Sequence, residues 1–235
     1  GITINELDYG EEEITTAVEP NGTGQTWGAQ DIAFSLSYAQ NLTDRFSFGA
    51  TAKYVQQKIW HESATAFAFD VGLLFTTQFN GLRIGMNIAN FGTDMKMDGK
   101  DLLQPVDIDR SNSGNNANIV AKMETDAWAL PLFFTVGLGI DAMKTENWKL
   151  TVAADATHPN NQSPFINIGS ECVWNDLFVV RAGYNSVFKE AAEEGLSLGF
   201  GVYYDFGSFS LNVDYGYMDF GIFENISRYS LSVGF

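Results

Sequence analysis

The chain has 235 residues, enough for one large domain or two small ones, with 45% hydrophobic and 18% charged residues. Its 19 Phe, 9 Tyr and 23 Gly against only 5 Pro favour strands and tight turns. A formal net charge of −16 excludes a nucleic-acid partner, and the single Cys172 excludes an intrachain disulfide and a thiolate metal centre.

No apolar run approaches the roughly 20 residues that a membrane-spanning helix needs. Apolar and polar residues instead alternate with period two, the pattern of a two-faced strand. In chain order the alternation predicts strands at 2–9, 31–39, 45–57, 65–78 and 82–91. A long polar stretch, 92–130, follows. The pattern resumes at 131–143, 148–157, 164–174, 178–187, 196–204, 209–220 and 228–235. Most of these strands exceed the five or six residues typical of globular sheets and match tilted membrane-crossing strands.

The connections sort by length. Those near Leu42, at Asn80-Gly81, at 144–147, at 175–177 and at Phe206-Gly207 are short. Those near His61, at 92–130, at 158–163, at 188–195 and at 221–227 are longer. A soluble sandwich has no reason to sort its loops, whereas an outer-membrane barrel has short periplasmic turns and longer external loops. The expected fold is therefore all-β: a transmembrane up-and-down antiparallel β-barrel in a bacterial outer membrane, one domain over 1–235, with bilayer lipid around it. The closing YSLSVGF (229–235) alternates to its last residue, which places Phe235 in an interfacial aromatic girdle.

Strand parity places three opposite-charge pairs on the polar face: Asp31 with Lys53, Asp141 with Lys149, and Glu171 with Arg181. A charge facing lipid would cost roughly 2–4 kcal/mol near the midplane, so this face is the lumen.

Several stretches resemble one family. SYAQNLTDRFSFGATAKYV (37–55) is similar to its Leu-Thr-Asp-Arg-Phe-Ser hairpin, and FNGLRIGMNIANFGTDMKM (79–97) to its Asn-Phe-Gly strand end. VVRAGYN (179–185) and LNVDYGY (211–217) add to the likeness. The chain resembles the PorV/PorQ-like outer-membrane proteins, relatives of the long-chain fatty-acid transporter barrels. The resemblance implies a barrel of about fourteen strands, of which about twelve are visible here, with an N-terminal hatch and the first strands expected before Gly1. It also implies service to type IX secretion, binding secreted cargo or a translocon.

The candidate chemistry is sparse. His61 and His158 are expected in external loops, outside any catalytic spacing, so an outer-membrane hydrolase ranks third. The run from Asp107 to Ser113 alternates oxygens as a calcium loop does, but it lacks the Gly and the Glu that such a loop requires. Glu11, Glu12 and Glu13, and Glu190, Glu193 and Glu194, read as exposed acidic loops. Cys172 should face lipid as a small hydrophobe. The stretch 92–130 is too apolar for a solvated tether: Met95, Met97, Leu102, Leu103 and Ile108 read either as a partner-binding surface or as a lid packed on its own barrel. The expected protein is non-enzymatic, without cofactor or metal, anchoring a surface-facing platform for a secretion or assembly partner. The alternative is a transporter for hydrophobic small molecules such as long-chain fatty acids.

Overall fold

A computed structural model describes residues 1–107, 111, 119–189 and 195–234. Five long strands come first: β1 (Ile2–Glu13), β2 (Thr26–Asn41), β3 (Phe46–Ile59), β4 (Glu62–Thr76) and β5 (Arg83–Gly92). Short elements fill the stretch expected as a loop: β6 (Met95–Lys96), β7 (Asp98–Gly99), a 3-10 turn (Lys100–Leu102), β8 (Leu103–Val106), β9 (Ile119–Lys122) and β10 (Ala127–Trp128). Seven long strands complete the chain: β11 (Phe133–Lys144), β12 (Trp148–Pro159), β13 (Phe165–Trp174), β14 (Phe178–Val187), β15 (Leu196–Asp205), β16 (Ser210–Asp219) and β17 (Asn225–Gly234).

The long strands form one sheet in the order β1-β2-β3-β4-β5-β11-β12-β13-β14-β15-β16-β17, sequential apart from the excursion after β5, with β7 added beside β4. That order is an up-and-down meander, and every strand pair whose register is defined is antiparallel. Hairpin chemistry sets the registers. Asn80 and Gly81 (φ 45° and 64°) and Asn175 and Asp176 (φ 52° and 54°) adopt the paired positive φ of type I′ turns, whose twist matches the strands they join.

The chain divides into two compact units. The first comprises Gly1–Tyr38, Ala50–Asp70 and Ala89–Leu132. Its small core sits on β4, where Ala64 and Ala66 pack with Met95. Phe67 and Phe69, of opposite parity, are exposed on the other face. The β3–β4 connection, expected to be longer, is only Trp60-His61, because both strands run on past the predicted ends.

The second unit comprises Ala39–Gly49, Val71–Ile88 and Phe133–Phe235. Its apolar face carries Phe134, Leu138, Val152, Ile168, Val180, Leu198, Phe200, Val213 and Leu231, all exposed. Such a face, continuous over seven strands, cannot be left in water, and in a bilayer it is the lipid-contacting wall. Beside the short turns an aromatic belt borders it. Trp148, Trp174 and Phe178 are register partners, with ring centroids 5.9 and 5.7 Å apart, and Phe178 lies 6.3 Å from Phe200. Aromatic belts of this kind mark a membrane–water boundary. Cys172 lies on this wall, half-buried, between Leu150 and Val180.

Candidate functional site

The polar face of the second unit is organised by Arg181 on β14. Its Nε donates to Glu171 Oε2 (2.8 Å), its Nη1 donates to Asp214 Oδ1 (2.7 Å), and its Nη2 donates to Tyr203 Oη. Tyr203 Oη in turn donates to Asp214 Oδ1 at 3.1 Å. Glu171 is the register partner of Arg181, as strand parity placed it. Strand parity places Asp214 on this polar face but does not pair it with Arg181, and it does not reach Tyr203, because β15 lies between β14 and β16. The signal was in the glycines. Gly199 is the register partner of Arg181 and Gly201 that of Asp214, so the guanidinium reaches across a strand that has no side chain in the way. A Cβ at Gly201 would lie 2.5 Å from Asp214 Oδ1.

A second network centres on Asp141. It accepts from Arg83 Nη2 (2.8 Å) and Thr151 Oγ1 (3.0 Å), and Lys149 Nζ lies 3.7 Å away. A register shift at Asp141/Met143 makes Thr151, not Lys149, the direct partner, so Lys149 is the more distant contact.

The Asp31–Lys53 pair does not form. The β2–β3 hairpin closes through Leu42 N–H to Phe46 O (2.8 Å), and Ser37 Oγ meets Thr51 Oγ1 (2.9 Å), which carries Lys53 past Asp31. Asp31 accepts from Tyr9 Oη (3.0 Å) instead. Lys53 binds Asp70 Oδ2 (2.5 Å) and Asn90 Oδ1 (2.9 Å).

The proposed binding residues of the long loop do not share one surface. Met95 is 1% exposed, buried against Ala64 and Ala66. Met97 and Leu102 are half-buried, and Leu103 is exposed. Ile108 lies outside the described residues, as do most of the calcium-loop reading, Glu190, Glu193, Glu194 and Phe235. Asp98 pairs with Lys122 Nζ (2.5 Å). Chiefly the hydrogen bond from Lys122 holds the Asp98 carboxyl below its ordinary range. Its contribution to the loop is therefore complete above the ordinary carboxylate pKa and is lost as pH falls through the lowered value. An NMR titration should place the Asp98 midpoint below the ordinary range and return it there in Lys122→Met. An unchanged midpoint would deny the pairing.

Of the two histidines, His61 lies in the β3–β4 connection as expected, and His158 departs from expectation. His158 is on β12, opposite Phe134, not in a loop. His61 Nδ1 lies 2.6 Å from Asp101 Oδ2, and its ring stacks on Trp60 at 4.1 Å. Among the described residues no group of three or more His, Cys, Asp or Glu is placed to hold a metal ion.

Two cavities open in the second unit. One, of about 630 Å³, lies along the polar face, with Gly169, Gly183, Gly199 and Gly216 among its lining and Glu171 and Arg181 beside them. The other, of about 380 Å³, lies where the β13–β14 register shifts between Ile166 and Ile168. Ser186 (φ 54°) absorbs the extra residue there, and its N–H donates to Asn167 Oδ1 at 2.9 Å. This second cavity is lined by Phe134, Val136, Ala156 and Ile166 of the apolar face and by Thr157 and Phe165 of the polar one.

No protein-family model matches the chain, and no curated protein matches it in sequence. Solved structures do match in shape. The P. putida toluene transporter TodX aligns with a TM-score of 0.52 at 11% identity, over 99% of this chain and 75% of that one. The CymD monoaromatic hydrocarbon channel aligns with a TM-score of 0.50 at 10% identity, over 99% of this chain and 84% of that one. At such identities the likeness is one of fold. The meander order, the lipid-contacting wall and this likeness together make the fold an up-and-down antiparallel transmembrane β-barrel, whose place is the bacterial outer membrane.

Proposed function

We propose that the chain is a non-enzymatic transporter that passes small hydrophobic molecules across the outer membrane of a Gram-negative bacterium. One observation carries this reading: an apolar cavity of about 380 Å³ opens at the β13–β14 bulge, with Phe134, Val136, Ala156, Ile166 and Val187 in its lining. An apolar solute in the lumen needs a way out that avoids the polar headgroup layer. The apolar recess at the bulge, where the β13–β14 ladder is irregular, is the place for it, since transfer to the acyl chains there keeps the solute's surface away from water. The cavity has more than twice the roughly 150 Å³ that suffices for benzene in an engineered protein core. The solved structures of like fold carry toluene and monoaromatic hydrocarbons by their descriptions, which fits a solute of that size.

Filling the cavity tests the reading. Ala156→Trp should slow entry of labelled toluene into cells expressing the protein at least tenfold, with insertion and folding intact. Equal entry with Ala156→Trp and the native chain, or entry no faster than in cells lacking the protein, would contradict it.

A second reading, a platform for a secretion partner of the PorV/PorQ-like kind, has one observation in its favour. The β8–β9 hairpin exposes Leu103, Val106, Ile119 and Val120, apolar surface outside the long strands. Stoichiometric co-purification of a translocon or secreted cargo, lost on deleting 92–130, would put this reading first.

A further inference from the structure

The chain that leaves β5 does not run outward. It folds back along the polar face of β4, within the first unit, and two glycines bring it into close contact. A Cβ at Gly92 would lie 2.1 Å from Phe67 O, and one at Gly99 would lie 2.5 Å from His61 O and 2.8 Å from Glu62 Cα. No side chain fits at either point, so the strap between them is seated rather than draped. Its tongue is Met95. The Met95 side chain rests on Ala64 and Ala66, both 1% exposed, with Val55, Met97 and Leu130 around it. Alanines at these two positions of β4 leave the recess that the methionine fills.

Both ends of the strap are tied. Where it departs and returns, Asn90 (φ 63°) receives Lys53 Nζ on its Oδ1, donates its backbone N–H to Asp70 Oδ1 (2.8 Å) and donates its Nδ2 to Pro131 O (2.9 Å). At the far end β7 pairs with the start of β4, Ser63 opposite Asp98 and Glu62 opposite Gly99. Two clamps close there: His61 to Asp101 at 2.6 Å and Asp98 to Lys122 at 2.5 Å. The Asp101 N–H also donates to Glu62 Oε1 at 2.8 Å. The two ends differ in kind. Lys53 and Asp70 keep 22% and 20% of their side-chain exposure, His61 and Asp101 32% and 38%, and Asp98 and Lys122 64% and 51%. Exposed ion pairs contribute little, so the far end is held less firmly than the near one.

We infer that the segment from Gly92 to Gly99, carried with its β10 partner (Met95 opposite Trp128), is a gating strap: its Met95 tongue obstructs the polar face of β4 at rest, and release of the β7–β4 pairing and the His61–Asp101 clamp swings it clear to admit solute. The inference rests on the transporter reading and adds its regulation. Methionine suits the role, because a flexible, unbranched side chain reseats easily after displacement.

Register partners in an antiparallel pair lie within disulfide reach, so Ser63→Cys with Asp98→Cys, in a Cys172→Ser background, locks the strap. Toluene entry and single-channel current in planar bilayers are then read for the same protein oxidised and reduced. Oxidation is expected to reduce both at least tenfold, and reductant to restore them. Met95→Ala with Asp101→Asn should raise both above the native chain. Equal entry and equal current in the two redox states would overturn the strap. If the reduced protein admits no toluene, the transporter reading fails, and the current alone decides: a tenfold redox difference supports the gate, and no difference overturns it.

Discussion

Val152→Arg is expected to cost about 2–4 kcal/mol of folding stability in lipid, the price of a cation near the bilayer midplane. Val152 is exposed on the apolar wall of β12, with Ile140 and Ser170 as register partners. It lies between Trp148 of the aromatic belt and His158 at the opposite end of the strand. At about 3.3 Å per residue and a tilt of roughly 40°, that run rises about 25 Å, the height of an outer-membrane apolar band. The control is one residue along. Ala153 points to the other face and lines the 630 Å³ cavity that also holds Glu171 and Asp155. Ala153→Arg therefore finds room, water and carboxylates, and should change stability by less than about 1 kcal/mol. Urea unfolding in lipid vesicles measures both. A soluble two-faced sheet would show no such contrast between adjacent positions, because Val152 would then meet water.

Arg181→Met should be the most damaging change on the polar face. It leaves Glu171 and Asp214 without the counter-charge they share and strips Tyr203 of its donor. Breaking a fully buried pair from one side costs about 3–5 kcal/mol. Here Arg181 keeps 35%, Glu171 36% and Asp214 23% of side-chain exposure, so water relieves part of the charge. A loss of about 2 kcal/mol is expected. The damage lies in the orphaned charges rather than in the lost attraction. Adding Glu171→Gln and Asp214→Asn to Arg181→Met should therefore recover most of it, and a cycle over the three positions separates the two causes. If the triple variant is no better than the single one, packing of the Arg181 stem dominates instead.

How much of this was legible follows the range of each interaction. The long strands were readable because period two is written locally, in runs such as the one through Leu132, Phe134, Val136, Leu138 and Ile140. The Glu171–Arg181 contact was readable because a single tight turn sets that register. The Asp31–Lys53 pair failed because its turn closes at Phe46, and a small error in a turn displaces every pair above it. Asp214 could not be reached from adjacent-strand parity, since the contact crosses β15 over Gly199 and Gly201. His158 was expected in a loop because the alternation ends at Thr157. Pro159 instead ends β12 as its last residue, where no ladder donor is needed. The strap was the least legible part. Two-residue strands leave no periodicity, and the one hint was apolar Met95 and Met97 within a polar stretch, which announced burial without naming Ala64 and Ala66 as the seat.

Insertion as a membrane-spanning barrel requires the even-numbered face of β12 to meet lipid and the odd-numbered face to meet the lumen. Spin labels placed singly from 148 to 158 in a vesicle-inserted protein read this directly, through collision with oxygen, which concentrates in lipid, against a water-soluble nickel complex. The account predicts alternation with period two, oxygen favoured at 148, 150, 152, 154 and 156 and nickel at 149, 151, 153 and 155. Uniform access along the strand, or alternation of the opposite parity, would contradict it.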